Sequence, residues 1–297
     1  MLDVKMMLKY TDVQNKSPVH AFHLTRVGVT GVTRPVLIQR PKKTVTLIPT
    51  FSVFVSLPAE KKGSHMSRDI EVVDEIIDQL DKAPSLESLC ARMAKSLLER
   101  HEYAEYAEVG AEAKYFLERA SPSGRKTNEE YGIIAKASIR RGKLLRKTVG
   151  VEVIGMTACP CAMETAREMM RVKYPDLKVD GIPIITHNQR NRCKLMIELD
   201  EKHEVEADDL IEIAEKSLSS PTYEVLKRQD EGAVVMMAHQ SPKFVEDVVR
   251  DMLRGVLEKY KEMPDDTIIL AQSEAEESIH KHNAFAERGT ALGELRK

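Results

Sequence analysis

Apolar and polar residues alternate along the first part of the chain as a half-buried β-strand requires. Six apolar residues occupy odd positions, with threonine and serine between many of them: Val45, Leu47, Phe51, Val53, Val55 and Leu57. Because successive strand side chains point to opposite faces, this pattern predicts one strand over residues 45–57. Apolar residues then recur every three or four positions from Ile70 to Leu80 and from Leu86 to Leu97, which predicts two helices separated at Pro84.

The same order of elements recurs in the second half of the chain. Strand-like stretches near 103–118 and 129–144 complete the first half, and residues 146–156 and 193–199 predict the next strands. Helices are predicted near 162–173, near 210–218 and after Ser241 and Pro242, which we expect to cap and open the third. A last strand is predicted over 267–271. The order ββααββ, read twice, predicts an α+β fold of antiparallel sheets with helices on one face, in modules over 1–144 and 145–297.

Composition narrows the class of protein. The chain has 297 residues, a net charge of −2 and 31% charged residues, so bulk charge indicates neither a nucleic acid nor a membrane as a partner. It contains no signal-peptide core and no apolar run of membrane-spanning length. Four cysteines in a chain of this size are typical of a reducing compartment, and we expect a cytoplasmic protein.

Two short motifs carry candidate chemistry. Cys159-Pro160-Cys161 lies directly before the helix predicted near 162–173, and His187-Asn188-Gln189-Arg190 follows that helix. Thiolate and imidazole are ligands of borderline-soft divalent metals, and the proline is expected to keep both thiols outside regular structure. Cys90 and Cys193 stand singly in apolar segments, so a four-ligand structural zinc site is not indicated. Taken alone, the two cysteines are also compatible with small buried side chains.

Other titratable residues extend this hypothesis. Glu224 stands in a stretch that we interpret as a strand, and it is a candidate third metal ligand; an exposed strand glutamate is the alternative. Glu277 precedes His280 and His282, which would share one face of a strand and indicate either a second metal site or a solvated chain end. His65 has the same two interpretations.

Six segments in the same order resemble the type IB GTP cyclohydrolases, and in particular their archaeal iron(II)-dependent branch. They span about residues 20–290 and are Lys62-Gly63-Ser64-His65-Met66-Ser67-Arg68, Cys159-Pro160-Cys161, His187-Asn188-Gln189-Arg190, Leu226-Lys227-Arg228, Phe244-Val245-Glu246-Asp247 and Glu277-Ser278-Ile279-His280-Lys281-His282. The resemblance implies tandem tunnelling-fold (T-fold) modules that self-associate as a homodimer or a dimer of dimers. It also implies hydrolysis of GTP with release of formate. In the archaeal branch the product is 7,8-dihydroneopterin 2′,3′-cyclic phosphate, made in the first step of methanopterin biosynthesis.

The resemblance also implies roles for individual residues. It implies an iron(II) cofactor, with zinc or manganese as substitutes in vitro, held by Cys159 and His187; Glu224 is our candidate for the third ligand. The implied catalytic residues are Cys159, Cys161, His280 and His282. The implied residues that bind GTP are His65, Arg68, Gln189, Arg190 and Glu277, of which Glu277 is expected to hold the guanine edge.

Three departures from the bacterial pattern favour the archaeal branch. An inserted helix separates the cysteines from His187. Pro221 and Met236 stand where the bacterial enzymes have a ligand glutamate and a catalytic glutamate. Two alternatives stay open: a type IB enzyme that yields 7,8-dihydroneopterin triphosphate, and a non-catalytic T-fold module that binds a purine or pterin.

Overall fold

A computed structural model of the protein describes residues 12–40 and 44–296. The chain divides into two compact units. The first unit runs up to Ala111 and also includes Lys136–Arg146, and the second comprises Glu112–Ala135 and the chain from Lys147 onward. These units do not test whether the chain consists of modules over 1–144 and 145–297, and that division stays a prediction.

The first unit combines a β-sheet with two long helices. Its elements are β1 (Leu24–Thr33), β2 (Val36–Gln39), β3 (Thr44–Leu47), β4 (Thr50–Leu57), α1 (Met66–Asp78), α2 (Leu86–Arg100) and parts of β5 (Tyr106–Ala120) and β6 (Lys126–Arg140). The sheet order is β1-β4-β5-β6, and β1 is antiparallel to β4. Strands β2 and β3 form a separate antiparallel pair.

The core of the first unit follows the predicted pattern with one correction. Phe51, Val53 and Val55 of β4 are fully buried, as the alternation predicts. The single strand predicted over 45–57 is wrong, because β3 and β4 are separate strands. Pro49 lies between them, and proline has no N–H to contribute to a strand ladder.

Both helices predicted for the first unit are confirmed. Val73 of α1 and Met93 and Leu97 of α2 are fully buried and lie on the predicted apolar faces. The Oγ of Ser85 accepts the N–H of Ser88 at 3.2 Å, so a serine caps the start of α2.

The second unit contains the remaining strands and helices. Its elements are the other parts of β5 and β6, then β7 (Arg146–Ala158), α3 (Pro160–Lys173), β8 (Asn188–Asp200), α4 (Ala207–Ser217), β9 (Ser220–Pro221), α5 (Arg228–Gln240), α6 (Val245–Lys259), β10 (Ile268–Ala275), β11 (Ala284–Ala291) and α7 (Leu292–Leu295). The sheet order is β5-β6-β7-β8-β10-β11, and β9 pairs with β7. The pairs β8–β10, β10–β11 and β7–β9 are antiparallel. The α+β class is therefore confirmed.

The start of the helix predicted after Ser241 and Pro242 is wrong. Ser241 ends α5, and α6 begins only at Val245. Pro242 lacks an N–H and disfavours helical backbone at the residue before it, so the helix ends there and a new helix begins after it. The Asp247 carboxylate accepts the N–H of Phe244 at 3.1 Å and stabilises the start of α6.

The hydrophobic pattern does not predict α5 or β11. In α5 only Val234 and Ala238 are buried apolar residues, which is too short a stripe to indicate a helix. Strand β11 lies at the edge of the sheet and is largely exposed, so its sequence lacks a clear alternation. The strand predicted over 267–271 exists but is longer, as β10.

Helix α3 confirms the inserted helix and corrects its start. It begins at Pro160, because the fixed φ of proline suits the first helical position. Cys161 therefore lies inside the first turn, and the expectation that the proline keeps both thiols out of regular structure is wrong for Cys161. Within the described ranges, no helix is long and apolar enough to cross a membrane.

Candidate active site

The main chain joins the first cysteine of the motif to the histidine. Cys159 directly follows β7, and its N–H donates to the carbonyl oxygen of His187 at 3.0 Å. The hydroxyl of Thr186 donates to the carbonyl oxygen of Cys159 at 2.8 Å. The thiol sulfur caps α3 by accepting the N–H of Ala162 at 3.4 Å. The thiol and the imidazole are thus carried by backbone segments that hydrogen-bond to each other.

Nδ1 of His187 faces two acceptor oxygens, one of which it contacts by a hydrogen bond. Its Nδ1 lies 2.9 Å from Oε1 of Gln189 and 3.4 Å from Oε2 of Glu277. Because both neighbours are acceptors, this network places the ring proton on Nδ1. The lone pair of the imidazole then lies on Nε2, where it is available to a metal.

Strand register places Glu277 beside these residues. Asn191 at the start of β8 pairs with Ala275 at the end of β10, and the N–H of Glu276 donates to the carbonyl oxygen of Arg190 at 2.9 Å. The antiparallel pairing therefore continues past both strand ends, and Glu277 follows directly.

The Glu277 carboxylate is held by one of its two oxygens. Nε2 of Gln189 donates to Oε1 at 3.2 Å and also to the hydroxyl of Thr157 at 3.4 Å. The side chain is only 12% exposed. Within the described part of the chain Oε2 is buried and makes no hydrogen bond, since its contact with His187 lacks the geometry of one. A buried acceptor of this kind is stabilised by a donor from a bound ligand.

A cavity of about 340 Å³ connects these groups. Its walls include Thr157, Cys159, Gln189, Glu277, Phe244 and Phe285. The two phenylalanines are 44% and 59% exposed and offer apolar ring faces beside a carboxylate. The volume is typical of a small-molecule site, and a planar base with N–H donors on its edge matches this lining.

The two C-terminal histidines lie close together on the loop between β10 and β11. His280 and His282 are exposed, and their ring centroids are 5.1 Å apart. The ring of His280 meets that of His187 edge-on at 6.4 Å. The prediction that the pair shares a strand face is wrong, because β10 ends at Ala275. The loop nevertheless brings one of these imidazoles beside His187.

Glu224 lies in an exposed bend, and the strand predicted around it is wrong, since β9 ends at Pro221. Its N–H donates to the carboxylate of Glu129 at 3.0 Å. In the part of the chain that the structure covers, no three His, Cys, Asp or Glu side chains are grouped closely enough to hold a metal ion. Glu224 as third ligand therefore stays a prediction, as do the ligand roles of Cys159 and His187.

The remaining predicted residues fall into two groups. Cys161 and Arg190 are exposed in the second unit. His65 and Arg68 belong to the first unit, where His65 precedes α1 and its Nε2 lies 3.3 Å from a carboxylate oxygen of Asp12. Their roles in catalysis and GTP binding stay predictions.

Two of the four cysteines are excluded from thiolate chemistry by burial. Burial raises the pKa of the Cys193 thiol to about 12, and it raises the pKa of the Cys90 thiol further above its usual range. Both are fully buried. The candidate chemistry of the cysteines is therefore confined to Cys159 and Cys161.

Three residues near this site lie outside the predicted set. Phe285 lies on β11, and Lys243 lines the cavity and donates its N–H to the carbonyl oxygen of Ala158 at 3.0 Å. His239 of α5 is nearly buried, with Nε2 3.4 Å from the carbonyl oxygen of Thr186. Only Phe285 had a sequence signal, an aromatic residue close to the histidine pair.

A family model described as type I GTP cyclohydrolase folE2 matches residues 10–286. The chain therefore belongs to the type I GTP cyclohydrolase family, a family of enzymes. The proteins named GTP cyclohydrolase MptA from Methanothermobacter thermautotrophicus and Methanosphaera stadtmanae are each 44% identical to it, over 97% of this chain and 95% and 97% of their lengths. GTP cyclohydrolase MptA of Methanosarcina mazei is also 44% identical, over 99% of this chain and 98% of its own. The resemblance that the six motifs indicate is confirmed.

Several solved structures with a similar fold are uricases. The uricase from Arthrobacter globiformis has a TM-score of 0.57 and 10% identity, covering 90% of this chain and 93% of that one. A uricase from Bacillus fastidious has a TM-score of 0.51 and 10% identity, covering 92% and 95%. At this level of identity the likeness concerns the fold alone.

Proposed function

We propose that this chain converts GTP to 7,8-dihydroneopterin 2′,3′-cyclic phosphate with release of formate, as the first step of methanopterin biosynthesis. The observation that carries the proposal is the cavity shared by Cys159, Gln189 and Glu277, beside which His187 is held. It combines potential metal ligands with a recognition group for a base. The relatives named GTP cyclohydrolase MptA support the part of this proposal that makes the chain a GTP cyclohydrolase.

Iron(II) is the cofactor that we propose. Cys159 offers a thiol that caps a helix, and His187 offers Nε2, because Nδ1 is directed at Gln189 and Glu277. This donor set suits a borderline-soft divalent cation, so the residues present fit the ion. When bound, such an ion supplies a Lewis acid that lowers the pKa of a coordinated water. The third ligand is proposed to be Glu224.

The residues of the chain then have separate tasks around GTP. Glu277 accepts from N1–H and from the exocyclic amine of guanine through its otherwise unpartnered oxygen and its neighbour, and Phe244 and Phe285 cover the base. Cys161, His280 and His282 are proposed to move protons during ring opening. Basic side chains in two segments, Lys62, Arg68 and Arg190, are proposed to hold the triphosphate bent back toward the ribose.

The proposal extends to the fold and the assembly. The element orders β1-β4-α1-α2-β5-β6 and β7-β8-α4-α6-β10-β11 along the chain are consistent with two T-fold modules, to which β2, β3, α3, β9, α5 and α7 are additions. We propose a cytoplasmic homodimer or dimer of dimers.

The product test decides between the proposed function and its alternatives. Purified protein incubated anaerobically with GTP and iron(II) is expected to yield formate and the cyclic monophosphate, identified by mass, and zinc is expected to support less activity. Dihydroneopterin triphosphate as the sole product would contradict the cyclic-phosphate assignment and retain the cyclohydrolase. Tight GTP binding without formate would instead indicate a non-catalytic binding module.

Replacing Gln189 with alanine should weaken iron binding, because Gln189 directs Nδ1 of His187 and thereby leaves Nε2 to the metal. Loss of such an orienting partner lowers metal affinity by roughly 10–100-fold. Iron(II) affinity can be measured by anaerobic competition with a chromogenic chelator. Gln272→Ala is the matched control, since Gln272 of β10 hydrogen-bonds Glu287 instead. Equal affinities in the two variants would remove the orienting role.

A further inference from the structure

A buried chain of hydrogen bonds runs through the first unit. Nε2 of His101 lies 2.9 Å from Oδ1 of Asp69, and both side chains are fully buried. Nδ1 of His101 lies 2.8 Å from the hydroxyl of Tyr103, which lies 2.9 Å from the hydroxyl of Ser64. Four polar side chains from α1, the end of α2 and the adjoining segments are thereby connected in series.

The donors in this series of hydrogen bonds all point in the same direction. Nε2 of His101 faces a carboxylate and therefore carries a proton, which leaves Nδ1 as the acceptor in that tautomer. The Tyr103 hydroxyl then donates to Nδ1, and the Ser64 hydroxyl donates to the oxygen of Tyr103. Each hydrogen bond in the series joins a donor to an acceptor, while Oδ2 of Asp69 is buried and has no hydrogen-bond partner within the described residues.

This series of hydrogen bonds fixes both ends of the segment that contains His65 and Arg68. Ser64 precedes the segment and is tied to Tyr103, whereas Asp69 follows it in the first turn of α1 and is tied to His101. Between the two anchors, Nη1 of Arg68 donates to the carbonyl oxygen of Arg100 at 3.1 Å.

The held segment carries positive charge and a polar atom without a partner. Nδ1 of His65 is buried and has no hydrogen-bond partner anywhere in residues 12–40 or 44–296, whereas Nε2 lies 3.3 Å from a carboxylate oxygen of Asp12. In the imidazolium form, with Nε2 directed at Asp12, Nδ1 is a donor for a bound anion. The run from Lys61 to Arg68 contains two lysines, a histidine and an arginine and no acidic residue. Nζ of Lys61 lies 4.2 Å above the ring of Tyr103, so the tyrosine also contacts this basic run directly.

We propose that Asp69, His101 and Tyr103 are positioning residues that hold His65 and Arg68 for contact with the phosphates of GTP. This inference rests on the proposed function. Apolar side chains often stabilise a protein as well as a buried carboxylate and imidazole of the same volume do, whereas hydrogen bonds between buried polar side chains specify one arrangement of the segment. Rigid placement lowers the entropy lost when an anion is bound.

Tyr103→Phe tests the proposal, because it removes only the hydroxyl that connects Ser64 to His101. GTP affinity measured by calorimetry is expected to fall, and KM to rise, by about tenfold, the effect of one hydrogen bond of ordinary strength. The kcat value should change less than about twofold and guanosine affinity should be unchanged, since guanosine has no phosphate. Ser64→Ala should reproduce this effect, and the double variant should add nothing to it.

Tyr106→Phe is the matched control. Tyr106 belongs to the same unit, and its hydroxyl donates to Glu108 at 2.6 Å rather than to the 64–69 segment. It should leave GTP affinity unchanged. An unchanged GTP affinity in Tyr103→Phe and Ser64→Ala, with only a lower melting temperature, would overturn the proposal. An equal loss of guanosine affinity would overturn the assignment to phosphate. Failure of the wild type to bind GTP would contradict the proposed function itself, before any variant is compared.

Discussion

Formate release from GTP is expected to disappear when Cys159 is replaced by serine or His187 by alanine. These two residues are the proposed metal ligands of the chain, and their backbones hydrogen-bond to each other at 3.0 Å. Without either ligand, the proposed iron(II) is not retained and no activated water is available. We expect kcat to fall by about a thousand-fold or more, which corresponds to about 4 kcal/mol of lost transition-state stabilisation.

Both variants should remain folded, so activity and folding can be separated. Serine is a preferred N-cap residue and can replace the thiol that accepts the N–H of Ala162. The alanine variant leaves the amide of Gln189 without its histidine partner, which costs about 1–2 kcal/mol. Circular dichroism and gel filtration would report the fold, and anaerobic formate assays with metal analysis would report the site.

Cys161→Ser is the matched control for the cysteine variant. Its thiol is exposed in the first turn of α3, two residues from Cys159, and the substitution is chemically the same. It should reduce turnover less than Cys159→Ser does. A variant of Cys159 or His187 with near-wild-type turnover and full metal content would refute the ligand assignment, and an equal loss in Cys161→Ser would make that thiol a ligand or an acid–base group.

Glu277→Gln is expected to weaken GTP binding by about 2–4 kcal/mol, because the substitution replaces one acceptor with a donor and leaves a buried polar mismatch. Oε1 of Glu277 is already held by Gln189, and Oε2 is buried without a hydrogen-bond partner in the described chain. Two donors on the guanine edge fit a carboxylate there. Titration calorimetry with GTP measures the effect.

Glu276→Gln provides the matched control, since its carboxylate contacts Arg192 at 3.4 Å and is half-exposed. This variant should bind GTP as the wild type does. Inosine triphosphate lacks the exocyclic amine, so it should bind the wild type less tightly than GTP does, and this difference should shrink in Glu277→Gln. Unchanged GTP affinity in Glu277→Gln would remove the residue from the guanine site.

The spacing of apolar residues was sufficient to predict a helix or strand where that element packs one regular face on the core. The alternation that buries Phe51, Val53 and Val55 predicts β4, and periodic apolar residues predict α1 and α2. Edge strand β11 and helix α5 bury too few apolar residues to leave a periodic pattern. The two motifs with cysteine and histidine were also identifiable, because the chemistry of thiols and imidazoles does not depend on the fold.

The sequence by itself determined the α+β class, the family and the residue types of the candidate site. Only the tertiary structure decided which of those residues meet. Gln189 and Glu277 are far apart in the chain, and the register of β8 against β10 places their side chains 3.2 Å apart. The same structure leaves Glu224 exposed in a bend beyond β9. Strand register and loop paths depend on packing between distant segments, and no local pattern of side chains records such packing.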